Sequence, residues 1–393
     1  MMMPVEVKPG VYWVGAIDWT SREFHGYKIY RGTTYNAYLI VDDKITLIDT
    51  VKAPFANEMI ERISQVIDPS KIDYIVSNHV EMDHSGSIPA VMKLAPEAKI
   101  YTSDPNGAKG LTAHYGDLGY VPVKDGDTLE IGKRTLSFVK TTMVHWPDSM
   151  VTYDVTDKIL FSNDAFGQHF ASNLRFDDEE DLASVLGHAK KYYANIVMPY
   201  SKNAAKAVEA CKGLDIDIIA PGHGIIWRSH VDEILKCYEK WTSCTTDDKA
   251  VVVYDSMWGT TDKMARTIVS AFAERGISAR LFDLKVDHNS DVITEVLCAK
   301  YIAVGSPTLN NGMLPNVASF LCYLKGLTQK NKVGIAFGSY GWAPKGPNDV
   351  AEQLGACGYE MPFETFTQNW TPTDDDLKAL HDKFLEKLDE IRK

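Results

Sequence analysis

The run His79-Val-Glu-Met-Asp-His84 puts four metal-capable side chains within six residues, directly after the apolar stretch Ile72-Asp-Tyr-Ile-Val-Ser-Asn78. That stretch reads as a buried strand, along which alternate residues point to one side. His79, Glu81 and Asp83 are therefore expected to share a face, with His84 following on the turn at Ser85-Gly86. Imidazole and carboxylate packed this densely are costly to bury unless a cation neutralises them. The chemistry implied is a metal site. Three further donors each end an apolar segment: His145 before Trp146-Pro-Asp148, Asp164 after Lys158-Ile-Leu-Phe-Ser-Asn163, and His223 in Ile218-Ile-Ala-Pro-Gly-His-Gly224. Strand ends are where the loops of a layered α/β fold converge, so these three can meet the first cluster in space.

From Lys249 onward, short apolar strands alternate with helical stretches. Ala250-Val-Val-Val-Tyr-Asp255 reads as a buried parallel strand, followed by Ser256-Met-Trp-Gly-Thr-Thr261 and a helix from about Asp262 to Arg275. Hydroxyls, a glycine and free N–H groups at a helix start suit a phosphate. Two later strands run into similar loops, Ser306-Pro-Thr-Leu-Asn310 and Ser339-Tyr-Gly-Trp342, the second offering two aromatic rings. Loops at the carboxyl ends of strands around the switch point of an open parallel sheet bind its ligand. A monophosphate pocket beside stacking aromatics suits FMN, and nothing matches the Gly-x-Gly-x-x-Gly of a dinucleotide site.

The first half resembles the metallo-β-lactamase superfamily, in which His-x-His-x-Asp-His is followed by a His, a bridging Asp and a final His. Ile45-Thr-Leu-Ile-Asp49 supplies the early strand and Asp of that pattern. Glu81 stands where the zinc hydrolases have their second His, and the exchange of nitrogen for carboxylate suits iron better than zinc. The second half resembles flavodoxin. That likeness places Ser256, Gly259, Thr260 and Thr261 around the phosphate, and Ser306, Pro307, Thr308, Leu309, Asn310, Ser339, Tyr340, Gly341 and Trp342 around the isoalloxazine. Trp258 departs from the usual loop and either packs on the flavin or covers the loop.

The fusion resembles the flavodiiron proteins over nearly the whole chain. The resemblance implies an α/β protein, with a four-layer αββα domain over 1–247 and a doubly wound, five-stranded parallel flavodoxin-like domain over 248–393. It implies two non-haem irons per chain, one held by His79, Glu81 and His145, the other by Asp83, His84 and His223, with Asp164 bridging. Replacing His84 is expected to hurt less than replacing His79, since in the family its counterpart does not always reach iron. His25 and Tyr193 look like the His and Tyr proposed to assist the substrate, although a hydrogen-bonded structural role fits both equally. The implied activity is reduction of O2 to water, of NO to N2O, or of both. Electrons arrive through FMN from a rubredoxin-type donor, and a diferrous pair with reduced FMN holds the four that O2 needs. Head-to-tail homodimers, or dimers of these, are implied as well. A flavin-containing zinc hydrolase and a non-catalytic redox carrier or sensor remain the alternatives.

Composition is consistent with this reading. The 393 residues suffice for two full cores, and no apolar run is long enough to span a bilayer. A formal charge of −12 argues against nucleic-acid binding. Six scattered cysteines without Cys-x-x-Cys spacing, and a start lacking signal-peptide form, point to a cytoplasmic protein without a fused rubredoxin. The polar stretch Thr242–Lys249 is the expected junction, and Thr373–Lys393 reads as a terminal packing helix. An acidic donor needs a basic patch, for which Lys263, Lys325, Lys332 and Lys345 are candidates in the flavin half.

Overall fold

Period-two alternation layers the first half of the chain. In a seven-stranded sheet, strands Tyr38–Ile40, Thr46–Ile48 and Tyr74–Ser77 lie side by side. Leu39, Leu47 and Ile75 face one way and pack with Met59, Ile63 and Val91 of the helices Ala56–Ser64 and Ile88–Leu94. Tyr38, Ile40, Ile48 and Val76 face the other way, against Phe138, Met150, Ile159 and Phe161 of a second, five-stranded sheet. Beyond that sheet, Val151 and Leu160 meet Val208 and Tyr238 of the helices Ser201–Cys211 and Val231–Thr242. The order of layers is helix, sheet, sheet, helix, as expected.

The computed structural model describes residues 2–393. It divides into two units: residues up to His25 with Ile29–Tyr193 and Tyr200–Thr242 form the first, and Gly26–Lys28, Ala194–Pro199 and Ser243–Lys393 the second.

The second unit is built on five parallel strands in the order Ser278–Asp283, Asp247–Tyr254, Ala299–Gly305, Val333–Tyr340, Phe366–Asn369. Near-continuous apolar runs form the three central strands because helices cover both faces of such a sheet. Ala250, Val252 and Tyr254, for example, pack with Ile268 and Phe272 of the helix Thr260–Glu274 and with Phe384 and Leu388 of the terminal helix Asp374–Ile391. The terminal helix starts at a capping box, Thr373 with Asp376, and three aspartates in its first turn face the positive end of its dipole. The chain leaves Asp247–Tyr254 for one neighbour and returns to Ala299–Gly305 on its other side, which creates the switch point.

Two expectations change. The strand pattern does not continue through Asp83, because Met82–Ser85 is a helical turn entered from Glu81. Ser85 Oγ donates to the carbonyls of Val80 and Glu81, at 2.6 and 3.0 Å, and Thr50 N and Oγ1 both hold the His84 carbonyl at 2.7 Å. Lys332 is not part of any basic surface. It is 1% exposed, with Nζ donating to the carbonyls of Leu297 and Ala299, and burial pushes its pKa down to about 8. No disulfide and no helix long and apolar enough to cross a membrane occur among the described residues.

Candidate metal centre and flavin pocket

Two buried carboxylates fix the segment that carries the first donors. Asp49, at the end of Thr46–Ile48 with φ 54°, accepts from Asn78 N at 2.7 Å and Asn78 Nδ2 at 3.0 Å. Asp148 accepts from Val80 N at 2.8 Å and from His79 Nδ1 at 2.8 Å. With Nδ1 donating, His79 presents the lone pair of Nε2. His223 is oriented in the same way, its Nδ1 donating to the Thr34 carbonyl at 2.6 Å. Gly224 follows at φ 81°, and a β-carbon there would lie 1.5 Å from Gln168 Oε1, so only glycine fits this turn.

The imidazoles and carboxylates converge in two sets, His79 with Glu81, His145 and Asp164, and Asp83 with His84 and His223. In each set the ligand atoms lie within 4.8 Å of one another. Glu81 Oε2 lies 3.3 Å from His79 Nε2 and 3.2 Å from His145 Nε2. Asp83 Oδ2 lies 3.2 Å from His223 Nε2, and Asp83 Oδ1 is 3.6 Å from His84 Nε2. Asp164 serves both sets. Its Oδ2 is 3.3 Å from His145 Nε2 and 3.6 Å from His79 Nε2, whereas its Oδ1 is 3.1 Å from His84 Nε2 and 3.6 Å from His223 Nε2.

The donors fit a pair of cations. Both oxygens of Asp83 and Oδ2 of Asp164 are buried without a hydrogen-bond donor. Burial alone would raise the pKa values of Glu81, Asp83 and Asp164, yet the facing imidazoles hold all three below the ordinary carboxylate range. Three buried carboxylates facing imidazole nitrogens, with carboxylate oxygens left unsatisfied, are the donor set that divalent ions complete. The mixed nitrogen and oxygen donors suit iron.

His25 reaches the cluster, with Nε2 2.9 Å from Glu81 Oε1, and its own side chain is 71% exposed. Tyr193 does not. Its hydroxyl pairs with Ser201 Oγ at 2.9 Å, and it is Tyr192 that donates to Asp164 Oδ1 at 2.8 Å. Burial, then Asp164, raises the Tyr192 phenol well above its ordinary pKa, so it stays protonated. Asp148, Thr34 and Tyr192 are absent from the sequence expectations. Asp148 had a signal, lying three residues after His145, but a carbonyl such as that of Thr34 leaves none.

In the second unit a cleft of about 360 Å³ opens at the switch point, within the range of small-ligand sites. It is lined by the expected loop residues except Gly259, Thr261, Ser306 and Asn310, with Met257, Trp370 and Thr371 added. The four exceptions shape the loops instead. Gly259 takes the left-handed turn into the helix at φ 83°, and Asn310 is exposed at φ 49°. The Thr261 hydroxyl is buried 3.3 Å from that of Ser339, and Ser306 Oγ accepts from Leu314 N at 2.9 Å. Gly341 admits the Trp370 ring, which passes 3.1 Å from where a β-carbon would stand. Uncapped N–H groups at Thr260, hydroxyls and three indoles match the phosphate and ring of FMN.

A profile described as ODP family beta lactamase matches residues 33–224, and one described as Flavodoxin matches 252–384. A nitric oxide reductase of Moorella thermoacetica is 45% identical over 389 residues, 97% of each chain. The crystallised rubredoxin oxygen:oxidoreductase of Desulfovibrio gigas superposes with a TM-score of 0.96 at 41% identity, over 99% of both chains. The flavodiiron protein of Giardia intestinalis does so at 0.95 and 36% identity, over 98% of this chain and 96% of that one. The chain belongs to the flavodiiron proteins.

Proposed function

We propose that this protein reduces O2 to water, NO to N2O, or both, at a diiron centre in residues 1–247, with electrons passed by a rubredoxin-type donor to FMN in residues 248–393. The observation that carries the reading is Asp164, whose two oxygens face two separate donor sets. When bound, the iron pair supplies electrons and open coordination positions for a diatomic, and FMN supplies the remaining electrons.

The chain's own residues do the rest. His79, Glu81 and His145 would hold one iron, Asp83, His84 and His223 the other, and Asp164 both. Asp148 and the Thr34 carbonyl keep the two outer imidazoles in the tautomer that can ligate. Tyr192 keeps a proton at Asp164 Oδ1, and His25 places its Nε2 against Glu81 Oε1. We infer a cytoplasmic, head-to-tail homodimer from family membership, and sedimentation across a dilution series, paired with activity, tests the assembly.

The deciding experiment is anaerobic turnover of O2 and of NO in parallel, with reduced rubredoxin as donor and metal analysis of the same sample. Rapid O2 loss without peroxide identifies an oxygen reductase, and faster N2O formation a nitric oxide reductase. A zinc-loaded, redox-silent protein would overturn the proposal.

A further inference from the structure

The loop that would take the flavin phosphate has a charge problem. Asp255 sits at its base, 4% exposed, accepting from Ser256 N at 2.7 Å and from Asn316 Nδ2 at 2.9 Å. Asp262 stands in the first turn of the following helix. Two carboxylates oppose a phosphate group that carries up to about two negative charges of its own. Uncapped backbone N–H groups offer only partial charges against them.

Asp262 is offset within its own helix, by Arg266 Nε at 2.9 Å, and it also accepts from the Tyr254 hydroxyl. The offset for Asp255 comes from elsewhere in the fold. Lys285 lies just past the parallel neighbour strand Ser278–Asp283, its backbone N–H held by Asp283 Oδ1 at 3.0 Å. Its Nζ donates to the Ser256 carbonyl and stands 3.5 Å from Asp255 Oδ1. The side chain is half exposed, so the ammonium fronts the loop and is not sealed beneath it. A cation on the first carbonyl of a phosphate-binding loop both fixes the loop and cancels the buried carboxylate under it.

We propose that Lys285 is the counter-charge that makes this loop accept a phosphorylated flavin, so that the pocket prefers FMN to riboflavin. The inference rests on the FMN reading of the cleft. It assigns a binding role to a residue outside the segments that line that cleft. Arg266 and Lys285 divide the work, each answering one carboxylate, and only Lys285 has its ammonium on the loop itself.

The test titrates FMN and riboflavin into flavin-free, full-length protein and follows quenching of flavin fluorescence. Lys285→Ala should weaken FMN about tenfold, an order expected for one charge-assisted contact at a half-exposed site, and leave riboflavin within about twofold. Lys285→Arg should stay within about threefold of the parent for FMN, because the charge persists. Rising salt should weaken FMN less in Lys285→Ala than in the parent. Equal loss of both flavins, or no loss of FMN, would overturn the role of Lys285, as would a Lys285→Arg protein as weak as Lys285→Ala. Failure of the parent protein to bind FMN at all would instead overturn the reading of the cleft.

Discussion

The metal cluster and the flavin pocket solve opposite problems. The cluster is largely buried, with His79 and His84 fully buried and Asp164 1% exposed, so most of its donors are held by other buried groups. The pocket is open, and its indoles stand largely in solvent, Trp258 at 94%, Trp342 at 71% and Trp370 at 69%. Polar atoms without partners are tolerated in the cluster only because a cation completes them. In the pocket, backbone geometry does the shaping and the side chains wait for a ring to cover. A buried site is therefore expected to fail abruptly when one group is changed, and an open one by degrees.

The sharpest break should come from Asp164→Asn. Iron content should fall below one per chain and turnover by at least ~100-fold, as expected for a donor shared by both ions. His79→Asn should come close to this and His84→Asn should do less harm, with metal analysis as the check. A site emptied by the His84 change but not by the His79 change would refute the assignment. Next, Asp148→Asn should lower metal affinity ~10–100-fold by freeing the His79 ring, read by chelator competition, with flavin content unchanged. Tyr192→Phe removes a hydrogen bond to a carboxylate worth ~1.5–3 kcal/mol. It should shift the visible spectrum of the iron-loaded protein and slow turnover about tenfold, whereas Tyr193→Phe should leave the spectrum alone.

Changes in the open pocket should be milder. Trp342→Ala should speed FMN release by a few-fold, about what one aromatic contact of ~0.5–1.5 kcal/mol supports, without altering the melting temperature of the flavin-free protein. Loss of folding in that variant would mean the indole is structural after all.

The smallest effect concerns pH in metal-free protein. Burial alone would lower the pKa values of His84 and His145, but Asp83 and Asp164 for the first, and Asp164 and Glu81 for the second, raise both to about 9. Both folded values lie above the unfolded value of ~6.5, so the stabilisation is complete below that pH and is lost as pH rises through about 9. Calorimetry of chelated protein should show the melting temperature falling by a few degrees across that window. Iron-loaded protein should lack the trend, because metal replaces the protons.

The same contrast explains what was legible in the sequence. Seven candidate donors stood out because so many imidazoles and carboxylates lie at strand ends, and the layered fold brings their side chains together. Tyr192 could not be told from Tyr193, because the helix Leu182–Tyr192 passes into wider turns over Tyr193–Val197 and helical phase is lost there. Lys332 looked like a surface lysine, since nothing local announces two carbonyls able to take its ammonium. Trp370 enters the flavin pocket just past the strand Phe366–Asn369, which shares no motif with the three loops, and only the sheet order places it there.

The donors also run from residue 79 to residue 223 and come from both sheets of the first unit. Contacts this distant along the chain belong to the slow, late part of folding. While the protein is being synthesised, the second set of donors stays incomplete until the strand before His223 has emerged and joined its sheet. The pair of donor sets is therefore finished only when the first unit is nearly complete.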